Sequence, residues 1–265
     1  MIAMTSEERS AFAQDGYAIR KNLLSRKEAE QYLDRIRAPI EAEIKANKVL
    51  AKKDSDGRKA LIRPIPNADE ELLGFLGREE RLVDLAHDVL GKPIYRFFAE
   101  LQLKEPNVGG DGAWDWHQDF GFMFADGLLA PEMTTILIPF QKATKENGCM
   151  RLLKGSHKLG RLNHNTDLVP NRSEYCRVTQ TSVEEKALKA AMERFEIVNV
   201  QLEPGDAFIW DANLIHGSNP NCSNGRLWSY ICYYNAIDNK HYKADHEYGH
   251  YEPLNPAKFS SYFNA

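Results

Sequence analysis

Ile94-Tyr95-Arg96-Phe97-Phe98-Ala99-Glu100-Leu101-Gln102-Leu103-Lys104 is the segment on which the reading of the fold turns. Side chains alternate across a strand. Tyr95, Phe97, Ala99, Leu101 and Leu103 therefore make an apolar face, and Arg96, Phe98, Glu100, Gln102 and Lys104 make the other. Upstream of this strand the spacing is helical. Thr5-x-x-Glu8 and Ser25-x-x-Glu28 are capping boxes that each open a helix. The first helix stops before Gly16, leaving a brief strand at 17–19. The second runs from Ser25 to about Asn47, with Ala29, Leu33, Ile36 and Ile40 at helical spacing. A charged loop is expected at 52–59 and helices at 69–76 and 79–90, with Gly91 as the C-cap.

Downstream the texture stays strand-like, with strands expected at 133–140, 149–153, 197–202, 207–210 and 226–235. Pro204-Gly205-Asp206 is a turn between two of them. One helix, opened by Ser182-Val183-Glu184-Glu185 and carrying Leu188, Met192 and Phe195, interrupts the series. The segment of about 160–196 is thus a lid-like insertion. Helices first and many short strands afterwards, with no Gly-rich turn opening a helix, predict a mainly β fold with flanking helices. The expected core is a double-stranded β-helix, or jelly roll, of the cupin kind. A single domain is expected over 1–265: a helical part at about 1–92, the core at about 93–240 and a tail at about 241–265.

Composition narrows the partners. Hydrophobic content of 43% and charged content of 27% are ordinary for a soluble globular chain. A net charge of −4 disfavours nucleic acid or an anionic membrane as partner. No signal peptide is evident, and no apolar run is long enough to span a bilayer. Cys149, Cys176, Cys222 and Cys232 form no CxxC pair, which points to free thiols in a reducing compartment and a cytoplasmic protein. No obligate protein partner is indicated.

The chemistry gathers around His117-Gln118-Asp119 and His216. In an extended segment His117 and Asp119 point to one side and Gln118 away from it. Two imidazoles and one carboxylate suit Fe(II) and leave its opposite face open. Arg226 follows ten residues after His216 and is expected on one strand face with Trp228, Tyr230, Cys232 and Tyr234, a face read as lining the cavity. His157 is expected to be structural. His87 falls in a helix, and His164, His241, His246 and His250 are read as exposed or loop histidines. Phe120, Phe122 and Trp210 flank the ligands and, with Lys104, are candidates for the substrate pocket.

Trp116-His117-Gln118-Asp119, Asn147-Gly148-Cys149-Met150, Lys154-Gly155-Ser156-His157 and His216-Gly217-Ser218 with Arg226 occur in that order. This arrangement resembles the phytanoyl-CoA dioxygenase family of Fe(II)/2-oxoglutarate oxygenases, over most of the chain. The resemblance implies an iron triad of His117, Asp119 and His216, with 2-oxoglutarate and O2 as cosubstrates. It implies that Arg226, assisted by Ser218, binds the distal carboxylate of 2-oxoglutarate, and that Gln102 and Thr135 lie beside that cosubstrate. The implied reaction is hydroxylation of an unactivated C–H of a small-molecule metabolite, with release of succinate and CO2. The intact Asp119 implies hydroxylation, or a desaturation variant, and not halogenation. The competing reading is a jelly-roll binding protein or a metalloenzyme that does not use 2-oxoglutarate; a protein hydroxylase is less favoured, since no peptide groove is evident.

Overall fold

The computed structural model describes residues 3–53, 59–65, 72–106, 112–168, 178–242, 254 and 256–263. Helix α1 (Ser6–Asp15) leads into strand β1 (Tyr17–Arg20) and helix α2 (Arg26–Lys45). Both expected capping boxes form: the Glu8 N–H donates to Thr5 Oγ1 at 3.2 Å and the Thr5 N–H donates to Glu8 Oε2 at 2.8 Å. Ser25 and Glu28 repeat the pattern at 3.2 and 2.7 Å. Strands β2 (Leu50–Lys53) and β3 (Lys59–Pro64) pair, taking in both ends of the expected charged loop, whose residues 54–58 lie outside the described residues, and helices α3 (Leu72–Leu76) and α4 (Glu80–Leu90) follow. The core strands are β4 (Ile94–Lys104), β5 (Trp114–His117), β6 (Met133–Pro139), β7 (Met150–Leu153), β10 (Ile197–Asn199), β11 (Ala207–Asp211), β12 (His216–Ser218) and β13 (Leu227–Ala236). Between β5 and β6 lies helix α5 (Asp119–Asp126).

The segment read as an insertion holds a hairpin, β8 (His164–Leu168) with β9 (Val178–Val183), and then helix α6 (Glu185–Arg194). The hairpin packs on α5 and β5. Ser182, expected as the helix cap, is in β9, and the N-cap position of α6 is Glu184. A last short helix, α7, spans Ser260–Phe263. The expected tail histidines His246 and His250 lie outside the described residues.

Two antiparallel sheets form the core. One has seven strands in the order β1-β11-β6-β13-β4-β3-β2, and the other has four, β10-β7-β12-β5. Both faces of the larger sheet are buried, and the pleat sorts them. Ile136, Ile138, Ile209, Trp228, Tyr230, Cys232 and Tyr234 pack with Tyr32, Leu33 and Ile36 of α2 and Leu82 and Leu85 of α4. The residues between them in sequence, Leu137, Phe208, Trp210, Leu227 and Ile231, pack with Leu152 of the smaller sheet and with Cys149 just before β7. A two-sheet core of this order, with helices behind one sheet, is the jelly roll the sequence predicts.

The decisive strand departs from its expected alternation at one point. Tyr233 pairs with Phe98, but Tyr234 pairs with Arg96, so β4 carries one extra residue there. Such a bulge exchanges the faces on its two sides. Ala99, Leu101 and Leu103 belong to the helix-side cluster as expected, whereas Tyr95 and Phe97 belong to an inner aromatic cluster with Phe120 and Met123. Arg96 is on the helix side, paired with Tyr234 and donating to the Gly74 carbonyl.

The turn at 203–206 anchors β11 under the helices. Gly205 sits at φ +86°, and a Cβ there would lie 2.3 Å from the Leu24 carbonyl oxygen, a backbone atom that cannot move aside. Gly205→Ala combines a disallowed conformation with overpacking. It is expected to lower stability by about 2–3 kcal/mol in urea unfolding.

Candidate metal centre and the adjoining cavity

His117 ends β5, Gln118 remains extended at φ −117° and ψ 135°, and Asp119 is the first residue of α5. The two-residue alternation therefore survives, although Asp119 is helical and not in a strand. Across the ladder His216 of β12 pairs directly with His117. The Nε2 atoms of His117 and His216 lie 3.8 and 3.5 Å from Asp119 Oδ1, and the three ligand atoms lie within 4.8 Å of one another.

Each ring is oriented by its own backbone. His117 Nδ1 lies 2.7 Å from the Asp115 carbonyl and His216 Nδ1 lies 2.9 Å from the Leu214 carbonyl. A carbonyl can only accept, so each Nδ1 carries the proton and each Nε2 lone pair is free. The carboxylate is held in the same way. Asp119 Oδ2 accepts from Thr135 Oγ1 at 2.7 Å and from Trp210 Nε1 at 2.9 Å, which leaves Oδ1 for a metal. The donor set fits Fe(II).

Burial sets the charges. Loss of solvation and the neighbouring His216 lower His117 to a pKa of about 3, and loss of solvation lowers His216 to about 4. Both imidazoles are thus neutral and ready to coordinate throughout the neutral range. Burial raises Asp119, against the lowering effect of His117, Thr135 and Trp210. Burial thus favours the protonated form of Asp119, so acidification works against the metal at this ligand.

Gln118 points away from the triad, as expected, and is fully buried. Its Nε2 donates to the Gly160 and Asn213 carbonyls at 2.8 and 2.6 Å, and its Oε1 accepts from the Leu162 N–H at 2.7 Å. Its own N–H donates to His164 Nε2 at 3.0 Å, so His164 is half-buried and engaged, not an exposed loop residue. His241 is likewise buried, its ring stacked on Phe97 at 5.6 Å. His157 is structural, as expected, with Nε2 3.3 Å from the Ala13 carbonyl.

The other anticipated residues divide. Trp210 and Thr135 hold Asp119. Phe120 is core, packed with Phe97 and Met123. Phe122 is half-buried beneath the Lys52 ammonium, which also lies over Trp114 at 5.4 Å. Gln102, Lys104 and Ser218 line one cavity with Ser229, Leu137 and Leu227.

Arg226 is the main correction. It does share a face with Trp228, Tyr230, Cys232 and Tyr234, but that face packs against the helices. Its guanidinium pairs with Glu41 of α2 and, at 3.0 Å, with Glu105. The side chains of β13 that reach the cavity are Leu227 and Ser229. Sequence reasoning chose the right strand and the wrong phase. It also missed Glu100, which is buried on the cavity side beside Gln102 Nε2 at 3.2 Å.

Removing one of the two bonds to Asp119 Oδ2 should loosen the carboxylate without unfolding the jelly roll. Trp210→Phe and Thr135→Val are each expected to weaken Co(II) or Fe(II) binding by about 10- to 100-fold. In the unaltered protein, Co(II) affinity should be flat near neutral pH. On acidification it should fall, because the raised pKa of Asp119 lets a proton compete with the metal for its carboxylate. Optical titration between pH 8 and 4.5 reads both effects.

With this geometry in view, the comparisons with known proteins agree with one another. The family model described as phytanoyl-CoA dioxygenase (PhyH) matches residues 12–227. An ectoine dioxygenase of Nocardia farcinica is 25% identical over 240 residues, covering 88% of this chain and 78% of the relative. The L-proline trans-4-hydroxylase of Streptomyces griseoviridis is 28% identical over 176 residues, covering 64% and 65%. Among solved structures, EctD from S. alaskensis with bound Fe superposes with a TM-score of 0.74 at 20% identity, covering 96% of this chain and 88% of that one. The same protein with 2-oxoglutarate and 5-hydroxyectoine gives 0.69 at 22%, covering 94% and 81%. The chain belongs to the phytanoyl-CoA dioxygenase (PhyH) family, and the centre built by His117, Asp119 and His216 is that of an Fe(II)- and 2-oxoglutarate-dependent dioxygenase.

Proposed function

We propose that the protein hydroxylates an unactivated C–H of a small, polar metabolite. The observation that carries this reading is the intact carboxylate of the triad, with Asp119 Oδ1 turned to the two Nε2 atoms and Oδ2 fully engaged elsewhere. Bound there, Fe(II) with 2-oxoglutarate and O2 supplies the oxidising chemistry, with succinate and CO2 as co-products. What the chain contributes is geometry and shelter. Two neutral imidazoles and one carboxylate give the ion a net single positive charge and leave its remaining positions to exchangeable ligands.

Side chains beside His117 support a substrate end there. The Trp114 ring lies 6.2 Å from His117, and Lys52 covers both Trp114 and Phe122. Glu100 is buried on β4, where burial raises its pKa and Lys52 opposes that rise. A wall of aromatic rings with one ammonium and one carboxylate suits a small molecule carrying both polar and apolar parts. The relatives named as ectoine dioxygenase and L-proline hydroxylase support a small-molecule substrate. Within the described residues no helix is long and apolar enough to cross a membrane. The cysteines described, Cys149, Cys222 and Cys232, are free, which supports a reducing compartment such as the cytoplasm.

Asp119→Ala is expected to abolish succinate formation while leaving the far-UV circular dichroism unchanged. Incubation of the unaltered protein with Fe(II), 2-oxoglutarate and a panel of small zwitterionic metabolites should give a product heavier by one oxygen atom, read by mass spectrometry. Full succinate turnover by Asp119→Ala would overturn the assignment.

A further inference from the structure

Glu100 is a carboxylate that the fold buries on the metal side of the larger sheet, at 3% exposure, without a counter-ion. Alternation along β4 gives it the same face as Gln102 and Lys104, which line the cavity. Among the described residues its carboxylate accepts one hydrogen bond, from Gln102 Nε2 at 3.2 Å, and no cation forms an ion pair with it. A carboxylate has about four acceptor sites, so most of its capacity is unused. The flanking strands add nothing, because Glu100 pairs with Ile231 of β13 and with Pro64 of β3, both apolar. A buried ion needs an opposite charge to offset its lost hydration, and burial accordingly raises the pKa of Glu100.

The cations around it are occupied elsewhere. Lys104 is four residues further along the strand, roughly 13 Å away, and its ammonium donates to Ser218 Oγ and to the Gly148 and Asn219 carbonyls. Lys52, on the edge strand β2, holds its ammonium over the rings of Trp114 and Phe122 at 5.4 and 5.6 Å. Asp119, by contrast, acts on Glu100 as a like charge. In the loaded centre, Fe(II) and the doubly negative 2-oxoglutarate cancel, and Lys104 offsets Asp119. Glu100 is the buried charge left over. An anionic substrate would add a second one to the same low-dielectric interior, and a neutral substrate would leave the first in place. A cation relieves it.

We infer that Glu100 receives a positively charged nitrogen of the substrate, so that the metabolite hydroxylated is an amine, an imino acid or a quaternary ammonium compound. The inference rests on the dioxygenase reading above and adds to it the residue that selects the substrate. The aromatic wall beside His117 agrees with it. Trp114 and Phe122 already present their faces to one ammonium, that of Lys52, and ring faces of this kind attract cations.

The test uses a cell extract freed of macromolecules and split on an acidic cation-exchange resin. The retained compounds carry a basic or quaternary nitrogen, and the flow-through lacks them. Each fraction is added to the Fe(II) protein with saturating 2-oxoglutarate and isotopically heavy O2, and succinate and labelled metabolites are followed by mass spectrometry. The retained fraction should stimulate succinate formation and yield the labelled product, and the flow-through should do neither. Glu100→Gln, which keeps the shape and removes the charge, should raise the KM for the compound so identified at least about 30-fold, as for a buried charge left without its partner. Glu100→Asp keeps the charge and should recover part of that loss. Both variants should still bind Co(II) and give the visible charge-transfer band with Fe(II) and 2-oxoglutarate.

A labelled product from the flow-through, or an unchanged KM in Glu100→Gln, would overturn the inference. The comparison of fractions uses the unaltered protein and stands even if a variant fails to fold. A protein that gives no visible band with 2-oxoglutarate, or that neither fraction stimulates, would instead sink the underlying reading of a dioxygenase acting on a small metabolite.

Discussion

A sheet buried on both faces admits no ambiguity about where a side chain points, and the function of this protein hangs on that constraint. In the seven-stranded sheet, neighbouring residues of β6, β11 and β13 go alternately to the helices and to the metal-bearing interior. Thr135 and Trp210 reach Asp119 because they share the inward phase, and Ile136 and Ile209 support them from behind. A shift of one residue on any of these strands would exchange metal support for hydrophobic core.

The centre itself is held by hydrogen bonds that leave little to chance. Backbone carbonyls two residues earlier fix both imidazole tautomers, and two side-chain donors fix the carboxylate. Gln118, between the ligands in sequence, ties the 160–162 segment to Asn213, three residues before His216. The two halves of the metal site, about a hundred residues apart in the chain, are therefore joined by one amide as well as by the ladder between β5 and β12. Charge-assisted bonds to a buried carboxylate contribute about 1.5–3 kcal/mol each, ample to hold one rotamer before a metal arrives.

Much of this was legible in the sequence. The iron ligands declare themselves through residue type and spacing, and the capping boxes and strand order lead to the jelly roll. Three things were not legible, for separable reasons. The bulge in β4 carries no glycine or proline to mark it, so the even–odd rule runs straight through Phe97 and misplaces Tyr95, Arg96 and Phe97. Arg226 was grouped correctly with Trp228, Tyr230, Cys232 and Tyr234, but both faces of β13 are apolar enough to be buried, so the pattern does not say which one lines the cavity. The engagement of His164 and His241 follows from contacts with α5 and β4 that no local pattern encodes.

The bulge also divides one strand into two independently phased instruments. Before it, Tyr95 and Phe97 face the aromatic cluster around α5; after it, Gln102 and Lys104 line the cavity, with Glu100 buried in the same row beside Gln102. Without the extra residue, an inward Tyr95 would force Ala99, Leu101 and Leu103 inward and turn the three polar groups against α2 and α4. A single additional peptide thus lets one continuous strand supply a greasy wall at one end and a polar rail at the other. The two ends can be retuned separately, because a substitution in one half leaves the register of the other untouched.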